Sequence, residues 1–268
     1  MTLTMQKITF WFFGAIAAIP LPILHRIGNF LGSIGYCFLP KKLRDTISGN
    51  VESAGIISDK LARHTLIKAV CQESIKGGFE LPVAWMRSSE DIVDLFKAVH
   101  GWEHVQTALE KNEGLLLITP HIGSYDLAGR YISHHLPFPL TAMYRPPKQK
   151  WLDAVMNAGR VRDKGRTAPT NLQGVKQVMK ALRAAEATIV LPDQVPHGAD
   201  GIWVNFFGRP AYTMTLAGKL ANMKNVSTLF FCGERLPNGQ VFVLHIEPMQ
   251  GELTGNAVKD TQLINDNV

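Results

Sequence analysis

The chain has 268 residues, 46% of them hydrophobic, which is long enough for one sizeable core or for a core with a small appendage. Its formal net charge of +6 indicates an anionic partner, and nucleic acid, an anionic membrane surface and a phosphorylated or acidic-protein substrate all qualify. Three widely spaced cysteines, Cys37, Cys71 and Cys232, argue against a disulfide framework and a cysteine-based zinc site, and they favour a reducing compartment.

Residues 1–40 are predicted to anchor the chain to a membrane. Residues 8–24 carry no charged side chain, and basic residues flank them on both sides. A helix of these 17 residues would span roughly 25 Å, less than the ~30 Å hydrocarbon core, and Pro20 and Pro22 should bend its end. A full span and a tilted or half-inserted anchor therefore both stay open, and a cleaved signal peptide is the alternative. Residues 27–40 add an apolar, glycine-rich stretch that suits the membrane interface.

Residues 41–268 are predicted to form one catalytic domain. Residues 41–85 have apolar positions at helical spacing and predict a helical platform, which is followed by a short helix capped by Ser89. From Val99 onward strand and helix patterns alternate, and a Pro237-Asn-Gly turn joins the last two strands. The predicted helices cover residues 103–111, 124–134, 148–161, 171–185 and 213–223, and the predicted strands lie near His100 and at residues 115–118, 140–144, 187–191, 226–234 and 240–247. This alternation is typical of an α/β sheet protein.

A histidine and a carboxylate follow the most apolar of these strands. Residues 115–118 form a buried-strand pattern, and Ser124 is a suitable N-cap for the next helix. His121 is therefore expected at the carboxyl end of a strand, where α/β folds place their chemistry. Asp126, in the first turn of the helix, could reach Nδ1 of His121 and leave Nε2 free to take a proton from a hydroxyl. The spacing alone is weak evidence, and the alternative is a surface histidine beside an aspartate that stabilises the helix dipole.

Four further residues are candidates for contacts with the substrate. Arg145 and Arg160 belong to a basic region after the strand at residues 140–144, which predicts either a phosphate-binding loop or a solvated helix face. Asp193 ends another buried strand, where it could line the same cleft or cap the turn. Arg209 precedes the last predicted helix and is expected to meet a phosphate near that helix's N-terminus.

Several sequence blocks occur together in one order. They are Leu117-Ile-Thr-Pro-His121-Ile-Gly-Ser-Tyr-Asp126, Met143-Tyr-Arg-Pro-Pro, Arg160, Leu191-Pro-Asp193-Gln and Asn205-Phe-Phe-Gly-Arg-Pro-Ala. With these blocks and its apolar N-terminus, nearly the whole chain resembles the bacterial late acyltransferases of lipid A biosynthesis (lauroyl or myristoyl transferases). These enzymes belong to the lysophospholipid acyltransferase superfamily, which carries a His-x-x-x-x-Asp/Glu motif. The Gly101-Trp-Glu-His and Arg130-Tyr-Ile-Ser segments look most like those of the members that add laurate.

The resemblance implies a fold of the glycerolipid acyltransferase type, with a mixed central sheet flanked by helices and an N-terminal membrane-anchoring segment. It implies transfer of a fatty acyl group, laurate, from acyl carrier protein to a hydroxyacyl chain of a Kdo-bearing lipid A precursor. The enzyme would sit on the bacterial inner membrane with its catalytic domain facing the cytoplasm. His121 would be the base and Asp126 would orient it, while Arg160 and Arg209 would contact phosphate or the oxyanion. No metal, bound cofactor or nucleic acid is expected.

Three alternatives stay open at this point. A glycerolipid acyltransferase would use the same base on the hydroxyl of a lysophosphatidate, and a membrane-tethered lipid-binding protein would have no turnover. A metal hydrolase would use His121, Asp126 and Asp193. Relatives usually continue beyond the part that matches residues 260–267, so the resemblance also implies that the family's C-terminal segment is missing from this chain.

Overall fold

A computed structural model of the chain describes residues 3–268 apart from residues 56, 58, 197, 199 and 238–241. The helices in this part of the chain are α1 (Leu3–Ala18), α2 (Leu21–Phe38), α3 (Lys41–Ser53), α4 (Lys60–Met86), α5 (Ser89–Val93), α6 (Trp102–Glu110), α7 (Tyr125–His135), α8 (Lys150–Arg160), α9 (Leu172–Arg183), α10 (Leu216–Ala221) and α11 (Ala257–Asn267). The strands are β1 (Phe96–His100), β2 (Gly114–Ile118), β3 (Leu140–Tyr144), β4 (Gly165–Pro169), β5 (Ala187–Val190), β6 (Gly201–Phe206), β7 (Arg209–Met214), β8 (Val226–Arg235) and β9 (Phe242–Pro248).

The central sheet is mixed, as expected, and mostly parallel. Seven strands follow the order β1-β9-β8-β2-β5-β3-β4, and of the neighbouring pairs only β8 and β9 run antiparallel in the described part of the chain. Ile118 at the end of β2 lies opposite Val190 of β5 on one side and Phe230 of β8 on the other. The carboxyl ends of the parallel strands β2, β5 and β3 therefore meet at one edge of the sheet.

Strand β2 holds the centre because its side chains are apolar on both faces. Leu115 and Leu117 pack into the core formed with α6 and α7, and Leu116 and Ile118 pack into the core formed with α9 and α10. All four side chains are fully buried. A run of leucines and isoleucines without polar alternation is what a parallel strand covered on both faces requires.

The structure corrects the predicted elements around residue 209. Residues 209–214 form β7, which pairs with β6 as a separate two-stranded hairpin, and α10 begins only at Leu216. The hairpin is closed by Phe207 and Gly208, both with positive φ values of 51° and 73°, a pair typical of a two-residue turn. Strand β4 was also not predicted, since its glycine and proline disfavour a strand anywhere except at a sheet edge. Two residues of the predicted Pro237-Asn-Gly turn lie outside the described residues.

The N-terminal helices form a bent pair. Met5–Ala18 and Leu21–Phe38 meet at 100°, and no single helix among the described residues is both long and apolar enough to cross a membrane; by length and composition alone the bent pair could. Leu21 and Leu24 are buried against α4, whereas Trp11 and Phe38 are 75% and 81% exposed. The membrane anchor therefore stays a prediction, and one face of the pair belongs to the protein core.

Candidate active site

His121 lies three residues beyond the end of β2 on a turn that is clamped against the neighbouring strand β8. Gly123 has a φ of 60°, and a Cβ at this position would come within 2.3 Å of the main-chain oxygen of Gly233. The next main-chain N–H, that of Ser124, donates to the same oxygen at 2.8 Å before α7 begins. Only glycine fits this close approach, so the turn holds His121 at a defined place at the sheet edge.

Asp193 is the carboxylate bonded to His121. Nδ1 of the His121 ring lies 2.7 Å from Oδ1 of Asp193, and the main-chain N–H of His121 donates to Oδ2 at 2.7 Å. The side chains of His121 and Asp193 are 32% and 17% exposed, so the pair lies at an open cleft rather than inside the core. Because an ionised carboxylate can only accept, Nδ1 carries a proton and donates it, which leaves Nε2 with its lone pair when the ring is neutral.

This contact corrects the predicted partner of Nδ1, which was Asp126. Oδ1 of Asp126 lies 3.9 Å from Nη2 of Arg160, while Oδ2 is buried without a hydrogen-bond partner among the described residues. Burial raises the pKa of the Asp126 carboxyl, and the charge of Arg160 works in the opposite direction. Burial, reinforced by Asp126, also raises the pKa of Tyr125 to about 12, so this phenol is neutral at physiological pH. Asp126 thus belongs to the site through Arg160 and not through Nδ1 of His121.

A residue to which the sequence patterns assigned no role completes the contacts of the ring. Nε2 of the Gln194 amide lies 3.2 Å from Nε2 of His121, on the side of the ring opposite Asp193. Asp193 and Gln194 both follow β5, and β5 is the parallel neighbour of β2. The signal that could have found this contact is the adjacency of the two strands, because residues just beyond the carboxyl ends of neighbouring parallel strands meet.

Arg160 and Arg145 lie near the carboxyl end of β3. The guanidinium of Arg160, the last residue of α8, lies 5.2 Å from the centre of the Tyr144 ring, within cation–π range. The hydroxyl of Tyr144 donates to Asp153 at 2.6 Å, which fixes the ring beneath the arginine. Arg145 is exposed and directly follows β3. The structure therefore places Arg160 beside Asp126, whereas Arg145 lies on the surface just beyond the end of β3.

Arg209 does not occupy the place that was predicted for it. It opens β7 opposite Phe206 and is exposed, seven residues before α10 begins at Leu216. No hydrogen bond or ion pair within the described residues joins it to His121 or Arg160. The predicted position of Arg209 at a helix N-terminus was wrong, because residues 209–214 form a strand. A contact of Arg209 with phosphate stays a prediction.

The described residues contain no cluster of three or more histidine, cysteine, aspartate or glutamate side chains that could hold a metal ion. The site does contain the imidazole of His121, with Nδ1 bonded to the carboxylate of Asp193 and Nε2 facing the exposed amide of Gln194. Arg160 lies close by, paired with Asp126. An imidazole held in this way can take a proton from a hydroxyl group, and the adjacent carboxylate stabilises the imidazolium that results.

Comparisons with known proteins identify the family. A model of the bacterial lipid A biosynthesis acyltransferases matches residues 3–268. A lipid A biosynthesis acyltransferase of Haemophilus influenzae is 28% identical over 123 residues, which are 46% of this chain and 38% of that protein. A lipid A biosynthesis palmitoleoyltransferase of Escherichia coli K12 is 28% identical over 178 residues, which are 66% of this chain and 56% of that protein. The matched regions thus span only 38% and 56% of the lengths of these two relatives. Because the family model covers nearly its whole length, the chain belongs to the bacterial lipid A biosynthesis acyltransferase family.

Proposed function

We propose that the protein transfers a fatty acyl group, laurate, from acyl carrier protein to a hydroxyacyl chain of a Kdo-bearing lipid A precursor. Membership of the family supports the reaction class and the acceptor. The observation that carries the mechanism is the ring of His121, bonded at Nδ1 to Asp193 at the carboxyl edge of the central sheet. That arrangement presents a lone pair at Nε2 to an open cleft, where an acceptor hydroxyl can reach it.

An acyl thioester is already activated, so the chemistry needs a base and no covalent nucleophile on the enzyme. Nε2 of His121 takes the hydroxyl proton while the hydroxyl oxygen bonds to the thioester carbonyl carbon. The tetrahedral intermediate then collapses, the carbon–sulfur bond breaks, and the thiol of the carrier leaves with the proton from the imidazolium. Asp193 stabilises that imidazolium, since its carboxylate lies 2.7 Å from Nδ1.

In this proposal Arg160 binds negative charge on the substrate or on the reaction intermediate. Its guanidinium is held between the ring of Tyr144 and the carboxylate of Asp126, and its Nε is buried without a partner among the described residues. A planar guanidinium suits either a phosphate of the acceptor or the oxyanion of the tetrahedral intermediate. In this proposal Asp126 positions Arg160 and adds negative charge near the imidazolium.

The partners follow from the surface of the molecule. Acidic acyl carrier protein docks beside the site on Arg145 and Lys148, which are exposed and follow the carboxyl end of β3. The bent helix pair α1 and α2 inserts its exposed aromatic side chains into one leaflet of the inner membrane, because its other face is packed against α4 and cannot face lipid. The site would then face the cytoplasm, where the carrier is, and would take the acceptor from the membrane surface.

A transfer assay with two acceptors tests this function. Purified protein in mild detergent is incubated with labelled lauroyl carrier protein and either a Kdo-bearing lipid A precursor or lysophosphatidate, with His121→Ala as the matched control. Label in the lipid A precursor, absent from the control reaction, supports the proposal. Label in lysophosphatidate alone assigns the protein to glycerolipid synthesis, and binding of lipid without transfer assigns it to lipid binding. Palmitoleoyl carrier protein as a competing donor decides the chain length.

A further inference from the structure

We propose that Gln194 is a positioning residue for His121: its amide donates to Nε2 in the unliganded protein and yields that place to the acceptor hydroxyl. The inference rests on the proposed function in that it takes His121 as the base. It adds a residue to the site and assigns that residue a task before the acceptor binds, namely holding the ring ready in its neutral form.

The geometry determines which atom donates. Nδ1 of His121 donates to the carboxylate of Asp193, so a neutral ring has its lone pair at Nε2. The nitrogen of the Gln194 amide lies 3.2 Å from that lone pair, and an amide nitrogen can only donate. The ring is therefore hydrogen-bonded at both nitrogens: Asp193 accepts from Nδ1, and Gln194 donates to Nε2. Both hydrogen bonds favour the same tautomer, the one that a general base requires.

The Gln194 amide and the acceptor hydroxyl compete for the same atom, Nε2 of His121. A hydroxyl must come within about 3 Å of Nε2 to lose its proton, so the amide and the hydroxyl cannot bond to this nitrogen at the same time. Gln194 is exposed and follows β5 in a loop, so its side chain can turn away without disturbing the core. Asp193 stays on Nδ1 throughout, because its second oxygen is held by the main-chain N–H of His121.

The charged groups around the ring are the same whether or not the Gln194 amide is present. Asp193 faces the ring from the loop after β5, and Asp126 and Tyr125 face it from α7, with the Tyr125 ring centre 5.1 Å from that of His121. Arg160 on α8 faces Asp126 at 3.9 Å. Replacing Gln194 alters none of these groups, so any change in how the ring titrates comes from the lost amide or from the charge that replaces it.

A donor at Nε2 stabilises the neutral ring relative to the imidazolium, and this predicts a direction. Gln194→Met removes the donor, so the acidic limb of the kcat/KM profile, which reports the free enzyme, moves to higher pH. We expect about half a pH unit, because water replaces part of the hydrogen bond. Gln194→Glu places a carboxylate beside the imidazolium and moves the acidic limb of the kcat/KM profile to higher pH by about one pH unit or more. The acidic limb of kcat for Gln194→Met stays in place, since bound acceptor has already displaced the amide.

The test combines these profiles with a measurement that needs no substrate. Nitrogen-15 spectra of histidine-labelled protein report which ring nitrogen carries the proton, and His121→Gln identifies the signals of His121 among the 9 histidines. Gln106→Met, at an exposed position on α6, is the control for the residue type. We expect a protonated Nδ1 and an unprotonated Nε2 in the neutral ring, with a higher titration midpoint in both Gln194 variants and no change in the control.

The inference is overturned if the neutral ring carries its proton on Nε2, or if the titration midpoint is the same in wild type and both Gln194 variants. It is also overturned if the kcat limb of Gln194→Met moves as far as its kcat/KM limb, because the amide would then still contact the ring in the substrate complex. If the wild type transfers no acyl group, the proposed function fails, while the spectra still decide whether Gln194 holds the ring.

Discussion

The two aspartates beside His121 lie in opposite electrostatic environments. Burial tends to raise the pKa of Asp193, but hydrogen bonds from the ring and the main chain of His121 outweigh it and hold that pKa below its usual value. For Asp126 burial dominates, and the pKa is raised in spite of Arg160. Asp193 is therefore the more acidic of the two carboxyl groups, and it is the one whose hydrogen bond to the ring stabilises an imidazolium, in keeping with the general pattern that environment separates the roles of paired carboxylates.

Substitution of each aspartate by asparagine separates these roles. Asp193→Asn should lower transfer on the order of 10²- to 10⁴-fold, because an amide can hold the ring in the wrong tautomer and does not stabilise its charge. Asp126→Asn should also lower transfer, through Arg160, but should leave Nδ1 protonated. Steady-state rates and nitrogen-15 spectra of both variants provide the measurement. Equal loss of the Nδ1 proton in the two variants would mean that Asp126 orients the ring after all.

At the residue scale the sequence predicts the features that neighbouring residues determine, such as turns and helix ends. The position of His121 after β2 and the start of α7 after Ser124 follow from an apolar run, a turn and a cap within about ten residues. The bond from His121 to Asp193 spans 72 positions and exists only because β5 lies beside β2, which no local pattern reveals. Arg209 was misplaced because the positive φ of Phe207, a residue that rarely adopts it, creates the hairpin.

At the scale of elements, a buried charge network ties the N-terminal helices to the sheet. Arg235 at the end of β8 donates to Glu80 of α4 at 2.5 and 2.7 Å and also pairs with Glu73 of α4. Glu80 lies 2.6 Å from the ring of His25 on α2. The side chains of Arg235, Glu80 and His25 are at most 8% exposed. One strand and two helices are thus fixed to one another through a single carboxylate.

Removing the cation of this network should be costly. Arg235→Met leaves the carboxylate of Glu80 buried without its main partner, which costs about 3–5 kcal/mol in the free energy of unfolding. Arg166→Met is the matched control, because the side chain of Arg166 is 58% exposed and its ion pair with Glu186 contributes at most about 1 kcal/mol. Denaturant unfolding of both variants in detergent measures the difference. Similar losses in the two would show that the network contributes no more than a surface pair.

The same network predicts how stability depends on pH. Burial tends to raise the pKa of Glu80, but hydrogen bonds from Arg235 and His25 outweigh it and hold that pKa below 4.5. The unfolded chain therefore binds more protons than the folded chain just below pH 4.5, so the stabilisation is present above that pH and is lost as the pH falls. Glu80→Gln should reduce stability at neutral pH and flatten the acid limb of the melting temperature. An acid limb as steep as that of the wild type would contradict this origin.

At the scale of the whole molecule, one side carries the chemistry and the N-terminal pair carries exposed apolar surface. The alternating strand and helix patterns predict an α/β sheet protein, and the family resemblance implies that its sheet is mixed. The hairpin of β6 and β7 and the edge strand β4 could not be predicted in this way, because their burial is partial and their sequences contain glycine or proline. The bend between α1 and α2 agrees with the expectation from Pro20 and Pro22, while the membrane itself stays a proposal.

Exposed aromatic side chains should carry the membrane contact. Trp11, Phe30 and Phe38 are 75%, 65% and 81% exposed, so replacing all three by serine should leave folding intact. Each apolar side chain of this size contributes about 1.5–3 kcal/mol when it leaves water, so binding to anionic vesicles should fall well over tenfold. Leu172→Ser on α9, 81% exposed, is the control. Vesicle sedimentation that is unchanged in the triple variant would show that another surface holds the membrane.

The central claim, acyl transfer to a lipid A precursor with His121 as the base, is tested most directly in cells by the mass of their lipid A. The gene is deleted, and the deletion strain is supplied with either the wild-type gene or His121→Ala at matched membrane levels of protein. We expect the deletion to remove one acyl group from lipid A, the wild type to restore it, and His121→Ala to leave it missing. Lipid A of unchanged mass in the deletion strain, or full restoration by His121→Ala, would contradict the account.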